Sequence, residues 1–250
     1  MNWNTLMGLI STVALTLPLL MILATRLTRY RTFPVLFAYY AIVSSYNMLT
    51  EGYINAPENF VQYYGIANNL LDAPLMLTFL TYFSTSKMLR KKMKLLTLLF
   101  VAYEIVILCI YGFSFEAITI IMGPGLLLVF SFCAAFFVRQ TRMTIVHQKG
   151  IGKSLMISSL IFAYGCYSII YIMYYLLKIQ HVEDTFLVYF LVTTVSTLLM
   201  TAGIFVERKR VQKLNELKIT RKELSELYKE NKTATPIRAA AFDYDKGLWN

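Results

Sequence analysis

The sequence predicts an all-α integral membrane protein: a seven-transmembrane-helix bundle, N-terminus outside and C-terminus cytoplasmic, followed by a cytoplasmic amphipathic helix. Three observations predict it. Hydrophobic residues fill 57% of the 250 positions and charged residues only 15%, against about 25% charge in a soluble domain. The apolar residues gather in seven runs, each near the ~20 residues that cross hydrocarbon as a helix. Basic residues crowd into every second connection, which is how a membrane protein records its orientation.

The runs are 5–25, 33–51, 60–84, 95–113, 117–138, 154–177 and 186–206. A backbone in lipid has to satisfy its own hydrogen bonds, so the runs are helices and not open strands. The first has no basic residue from Met1 to Thr5, whereas Arg26, Arg29 and Arg31 follow it. A cleaved signal peptide has the reverse order, so this run is expected to stay as a span with its N-terminus outside. Loops assigned inside carry Arg26, Arg29 and Arg31, then Lys87, Arg90, Lys91, Lys92 and Lys94, then Arg139, Arg142, Lys149 and Lys153. Loops assigned outside carry Glu51, Glu58, Glu116, Glu183 and Asp184, and of the 24 lysines and arginines only Lys178. Trp3, Tyr30, Tyr53, Tyr63, Tyr64 and Tyr175 fall near span ends, where amphipathic rings favour the interface. The short Gly112 to Glu116 connection makes the fourth and fifth helices antiparallel neighbours. The organisation is thus 1–206 transmembrane, 207–235 a cytoplasmic amphipathic helix or short coiled coil, and 236–250 a flexible tail. The expected location is the plasma membrane, the inner membrane if the source is bacterial.

The net charge of +10 is explained by these loops, and nucleic acid is not expected as a partner. Cys109, Cys133 and Cys166 all fall inside apolar runs, so they read as small buried residues and not as a disulfide framework. The segment 207–232 holds nine basic and five acidic residues around a narrow stripe of Val211, Leu214, Leu217, Leu224, Leu227 and Tyr228. That stripe suits a second copy of the chain, a cytoplasmic protein or an anionic lipid surface.

Ionisable residues deep in a span are the most informative features, because each costs several kcal/mol unless paired or hydrated. Asp72 lies about twelve residues from the outer end of the third run, near 18 Å at 1.5 Å per residue, and Glu104 reaches a similar depth in the fourth. Tyr64, Asn68 and Asp72 recur every four residues and share a helix face, with Asn69 beside them and Pro74 just beyond. The second run carries Tyr40, Ser44, Asn47 and Glu51 on one face, and the seventh carries Thr193, Ser196, Thr197 and Thr201. Tyr164, Tyr167, Tyr171, Tyr174 and Tyr175 form one stripe of the sixth. Each has a plainer reading: a neutral acid bonded to a neighbouring helix, or hydroxyls that pack helix on helix. Taken together they predict a polar cavity open to the outside, between the second, third, sixth and seventh helices, with Asp72 at its floor. The expected ligand-binding set is Asp72, Asn68, Asn69, Tyr64, Asn47, Ser44, Tyr164, Tyr167, Tyr171 and Glu104.

Other chemistries find no support. His147 and His181 are the only histidines, assigned to opposite sides of the membrane, so neither a metal site nor a histidine-dependent hydrolase is expected. Gly123-Pro124-Gly125 lies inside a span and is a flexible point, not a phosphate loop. The plan is similar to that of seven-helix receptors and rhodopsins in topology only. The third run does not end in Asp-Arg-Tyr, nor the seventh in Asn-Pro-x-x-Tyr, and 186–206 holds no lysine for a retinal Schiff base. No cofactor or enzymatic activity is expected. The reading is a small sensor that binds a ligand, for which a cation suits Asp72, and signals through 207–232. The alternative is an ion channel or proton-coupled transporter that uses Asp72 and Glu104, with Thr78, Thr81, Ser84 and Thr201 continuing inward.

The orientation is testable. Cysteine introduced at Asn55 or Glu183 in a cysteine-free background should react with an impermeant thiol reagent added to intact cells. Cysteine at Gln140 should react only after the membrane is opened, and the opposite pattern would invert the topology.

Overall fold

The computed structural model describes residues 3–84, 86–147, 150–173 and 182–230, with side chains at 6–84, 86–146, 150–173, 187–214 and 216–225. Seven α-helices account for most of these residues: α1 Trp3–Ala24, α2 Phe33–Thr50, α3 Glu58–Leu80, α4 Lys87–Tyr111, α5 Phe115–His147, α6 Ile151–Tyr171 and α7 Val182–Glu230. Short 3-10 turns at Leu27–Arg29 and Thr81–Phe83 follow α1 and α3, and no strand occurs among the described residues. The chain forms two units that divide after Glu207.

Five helices are long and apolar enough to cross a membrane, at Leu6–Ala24, Lys87–Tyr111, Phe115–Val146, Ile151–Tyr171 and Leu187–Ser225. α2 and α3 are less apolar because they carry the tyrosines, amides and Asp72 noted above. The outward surface is what lipid requires. On α4 the exposed residues include Leu95, Leu98, Leu99, Ile105, Val106 and Ile110, and on α5 Leu127 and Val138, the last 69% exposed. A soluble protein rarely displays so continuous an apolar surface. This is the make-up of an integral membrane protein.

Local chemistry sets the helix ends. Pro34 sits in the first turn of α2, where its missing N–H breaks no bond. Ser114 Oγ accepts from the Ala117 amide at 3.3 Å and caps the start of α5. Gly112, with φ of 68°, closes α4, and this left-handed backbone lets the chain reverse within a few residues. Three boundaries differ from the hydropathy reading. α4 starts at Lys87 and not near 95, α5 continues to His147 and not 138, and α3 gives way to the 3-10 turn at Thr81. Hydropathy marks where lipid ends, but lysine and arginine are good helix formers and let a helix run on past the hydrocarbon.

Within the first unit α1 packs on α2, α2 on α3, α3 on α4 and α5, and α5 on α6. Toward one end the interior is solid. Phe33, Phe79, Tyr82 and Phe83 are each at most 3% exposed. Phe33 and Tyr82 meet edge to face at 5.3 Å, and Phe83 reaches Phe136 at 6.2 Å. Two charges expected in a loop and at the start of the tail lie beside this cluster: Lys153 is 7% and Glu207 1% exposed. Tyr82 explains their burial, since its hydroxyl donates to Glu207 Oε1 and Lys153 Nζ lies 4.9 Å from its ring centroid. In the second unit, Leu217 and Leu224 of the expected stripe are 48% and 46% exposed. Leu227 and Tyr228 lie outside the residues with described side chains.

α6 and α7 touch backbone to backbone. A Cβ added to Gly152 would lie 2.7 Å from the Glu207 amide nitrogen and 2.9 Å from the Gly203 carbonyl oxygen. Two turns on, Ser159 Oγ donates to the Ser196 carbonyl at 2.6 Å. Small residues that let helices approach are the usual adhesive in lipid, where hydrophobic burial between helices offers little. Gly152→Ala should therefore destabilise the folded protein by about 1–3 kcal/mol, the range for overpacking. Thermal unfolding of the purified protein in detergent checks this, and an unchanged midpoint would show that the two backbones are further apart.

Candidate ligand cavity

Above the solid end the helices enclose a cavity of about 200 Å³, and every one of α1 to α7 contributes to its wall. α3 supplies Asn68, Asn69 and Asp72 along one side, with Pro74 a half-turn beyond. α4 supplies Glu104 and Phe100, α6 supplies Ser159, Tyr164, Tyr167 and Tyr171, and α7 supplies Tyr189, Thr193, Ser196 and Thr197. Among the described residues no lysine, arginine or histidine lines it.

The Tyr164 hydroxyl donates to Asp72 Oδ1 at 2.9 Å, and Tyr164 is only 1% exposed. The Tyr39 hydroxyl lies against the same carboxyl group. Tyr164 meets Tyr167 edge to face at 6.2 Å, and Tyr167 meets Tyr189 at 5.5 Å. The Tyr167 and Thr193 hydroxyls share a hydrogen bond of 2.9 Å across α6 and α7. On the far side Tyr171 donates to the Thr119 carbonyl at 2.8 Å. Proline 124 lacks an N–H, so the Ile120 carbonyl one turn earlier loses its helical donor; the Tyr103 hydroxyl comes to 3.4 Å of it. Gly123, expected to be a flexible point, instead makes room for the Tyr171 hydroxyl, which would lie 2.9 Å from an added Cβ.

Two acceptors in this wall have no donor among the described residues. Glu104 is 6% exposed, and its Oε1 is buried without a hydrogen bond, as is Asn68 Oδ1. A buried polar atom left unmatched costs about 1–3 kcal/mol, so such atoms mark places where a partner is missing. With Asp72 they make an acceptor-bearing cluster walled by tyrosine rings. Among the described residues no group of three or more His, Cys, Asp or Glu is placed to hold a metal.

Seven of the ten residues expected at the site line the cavity: Asp72, Asn68, Asn69, Glu104, Tyr164, Tyr167 and Tyr171. The other three do not line it, and two of them tie helices together. Tyr64 shares a 2.6 Å hydrogen bond with Ser45 and stacks on Tyr46 at 6.2 Å. Asn47 donates to Thr12 Oγ1 at 2.6 Å and so joins α2 to α1. Ser44 is buried at 5% exposure, away from the cavity. Tyr174 and Tyr175, the outer members of the α6 stripe, lie outside the described residues.

Tyr39 and Tyr189 line the cavity without having been expected there, and Tyr40, expected on a polar face of the second run, lines it as well. Tyr189 was findable, since it precedes Thr193 and Thr197 by one and two turns and extends their stripe outward. Tyr39 stands beside Val43 with no polar partner a turn away, so periodicity gave no sign of it. Compared with protein-family models, curated proteins and solved structures, the chain gives no match. Fold and site together define a class: an all-helical membrane protein whose bundle encloses an acidic, tyrosine-lined cavity.

The Tyr164–Asp72 bond can be measured in a double-mutant cycle. Tyr164→Phe should destabilise the protein by about 1–3 kcal/mol, the range for a hydrogen bond to a charged or otherwise unsatisfied partner. The same change should have less effect in an Asp72→Asn background, because the two residues act as one unit. Equal effects in both backgrounds would show that the hydroxyl and the carboxyl do not interact.

Proposed function

We propose that the chain is a seven-span membrane sensor, N-terminus outside and C-terminus cytoplasmic, whose cavity binds a small organic cation. The observation that carries this reading is the cavity's charge balance. Asp72 and Glu104 face a space with no basic residue in its wall, and the Glu104 and Asn68 acceptors lack donors. A protonated amine supplies what is missing: positive charge and several N–H donors on one atom. Tyrosine faces around it add cation–π attraction. Size limits the ligand. A cavity of ~150 Å³ accepts benzene, so about 200 Å³ suits a molecule built on one ring or a short chain.

The arrangement of the bundle favours sensing over transport. Beyond the cavity the interior is filled by Phe33, Phe79, Phe83, Met156, Ile157 and Met200. Of the four hydroxyls expected to continue a path inward, three turn back on the preceding turn, Thr78 to the Pro74 carbonyl, Thr81 to Thr78 and Thr201 to Thr197, and Ser84 donates forward to the Ser86 carbonyl. A dead-end pocket can bind but not conduct. The output is assigned to α7. Its Tyr189, Thr193, Ser196 and Thr197 line the cavity, and the residues from Arg208 on would engage a second copy or a cytoplasmic partner. The plasma membrane is the proposed location.

Benzylamine is a suitable probe, with benzyl alcohol as its neutral counterpart. Millimolar benzylamine should raise the unfolding temperature of the purified protein, since ligand at 100 times its Kd stabilises by about 2.7 kcal/mol. Benzyl alcohol should not, and Asp72→Asn should remove the benzylamine effect while the protein stays folded. A folded Asp72→Asn protein that responds like wild type, or an equal response to the alcohol, would sink the cation reading.

A further inference from the structure

A second site lies at the opposite end of the bundle, where the starts of α2 and α4 meet the end of α3. Arg31, Thr32, Thr81, Tyr82, Arg90 and Lys94 line a recess of about 260 Å³. Three of the six are cations, none is acidic, and they come from two stretches of chain about sixty residues apart. Like charges gathered around one space repel one another unless an anion sits among them.

The cationic wall groups have donors to offer. Arg90 Nη2 donates to the Ser84 carbonyl at 3.3 Å, and the Arg31 guanidinium lies 5.6 Å from the Tyr30 ring centroid. A guanidinium carries five N–H donors, so these contacts position both groups without exhausting them. Thr32 Oγ1 is buried and has no hydrogen-bond partner. Arg31 itself has a φ of 44°, a backbone state uncommon outside glycine. Glu207 is not part of the recess; it accepts the Tyr82 hydroxyl, with Lys153 over the ring of that tyrosine.

The helix start contributes little on its own. The Phe33 amide is bonded to the Tyr30 carbonyl and the Val35 amide to the Thr32 carbonyl, and Pro34 between them has no N–H. Recognition therefore falls to the side chains. Phosphate is the anion that arginine pairs and a hydroxyl bind with most geometric advantage. At the end of a membrane helix the abundant phosphate is that of a lipid headgroup, and basic pockets between helices are known to hold such groups.

We propose that this recess binds a phosphate group, that of an anionic phospholipid, between Arg31, Arg90 and Lys94 with the Thr32 hydroxyl as a further donor. The site is separate from the cavity around Asp72, shares no residue with it and does not depend on what that cavity binds. It also locates the recess at headgroup level, which anchors the ends of α2, α3 and α4 to the membrane surface.

Native mass spectrometry of the full chain in detergent, titrated with phosphatidylglycerol, tests this directly. Arg31→Gln/Arg90→Gln should weaken binding at least fivefold, and Lys94→Gln alone about threefold, since Lys94 is exposed and its loss leaves the packing intact. Arg139→Gln/Arg142→Gln removes two charges of the same loop set and should leave affinity within twofold of wild type. Phosphatidylcholine should bind at least fivefold more weakly than phosphatidylglycerol. Competition by millimolar inorganic phosphate would support the phosphate site and assign it to free phosphate as well as lipid; its absence, with the mutant pattern intact, restricts the site to lipid. Equal losses from the two arginine pairs, or unchanged binding in Lys94→Gln and Arg31→Gln/Arg90→Gln, would overturn the proposal.

Discussion

The hydrogen bond from Tyr164 to Asp72 is the constraint around which the bundle is arranged. A carboxyl group deep among apolar helices is tolerated only where donors reach it, and here the donors come from other helices. Tyr164 is on α6 and Tyr39 on α2, so one side chain of α3 fixes the approach of two neighbours. Tyr164 in turn sets Tyr167, and Tyr167 reaches Thr193 and Tyr189 on α7. A polar chain thus runs from α3 through α6 to α7. In lipid this matters more than in water, because apolar packing alone would not choose one rotation of a helix over another.

The two ends of the bundle treat charge differently, and the difference follows from what each must satisfy. Near Tyr82 the buried pair Lys153 and Glu207 brings opposite charges to one aromatic residue. Around Asp72 the ionisable groups include two carboxyls and no base among the described lining residues, and two acceptors there have no hydrogen-bond partner among the described residues. A structural network tends toward completeness, because a half-satisfied buried network is worse than none. The first cluster has the character of a lock between α6, α7 and the end of α3. The second has the character of a binding site, which holds an imbalance for a ligand to correct.

Much of the helical organisation was legible in the sequence, because hydrocarbon thickness imposes a length and lipid forbids charge. The apolar runs mark all seven helices, though α2 and α3 are the least apolar, for the reason that they carry the cavity's polar groups. Depth made Asp72 and Glu104 legible as well, since a carboxyl group at that level demands explanation. What periodicity could not give was rotation. Asn47 and Tyr64 belong to polar faces whose deeper members Tyr40, Asn68 and Asp72 line the cavity, yet they themselves bond Thr12 of α1 and Ser45 of α2. A stripe of polar residues says that a helix face meets something polar; whether that is a cavity or a neighbour's hydroxyl depends on the other helix. The burial of Lys153 and Glu207 was not legible for a related reason. The positive-inside pattern assigns a lysine to a side, but a neighbouring glycine decides whether it is buried, and Gly152 draws α7 close enough to cover it.

The same Gly152–Gly203 contact bears on how the proposed sensor could work. Backbones in direct contact have no compliant side-chain layer between them, so α6 and α7 move as a pair or slide by a discrete step. The cavity touches this pair through Tyr164, Tyr167, Tyr189 and Thr193, and the Tyr167–Thr193 bond joins the two helices at the level of the ligand. A cation that drew Asp72 toward itself would compete with the Tyr164 hydroxyl for the same carboxyl group and so act first on α6. That shift reaches α7 through contacts already rigid, and reaches Glu207 at the end of the first unit through the Tyr82 bond. A ligand changes an equilibrium only by its differential affinity for the two states. The carboxyl group shared between ligand and Tyr164 is where that difference would arise.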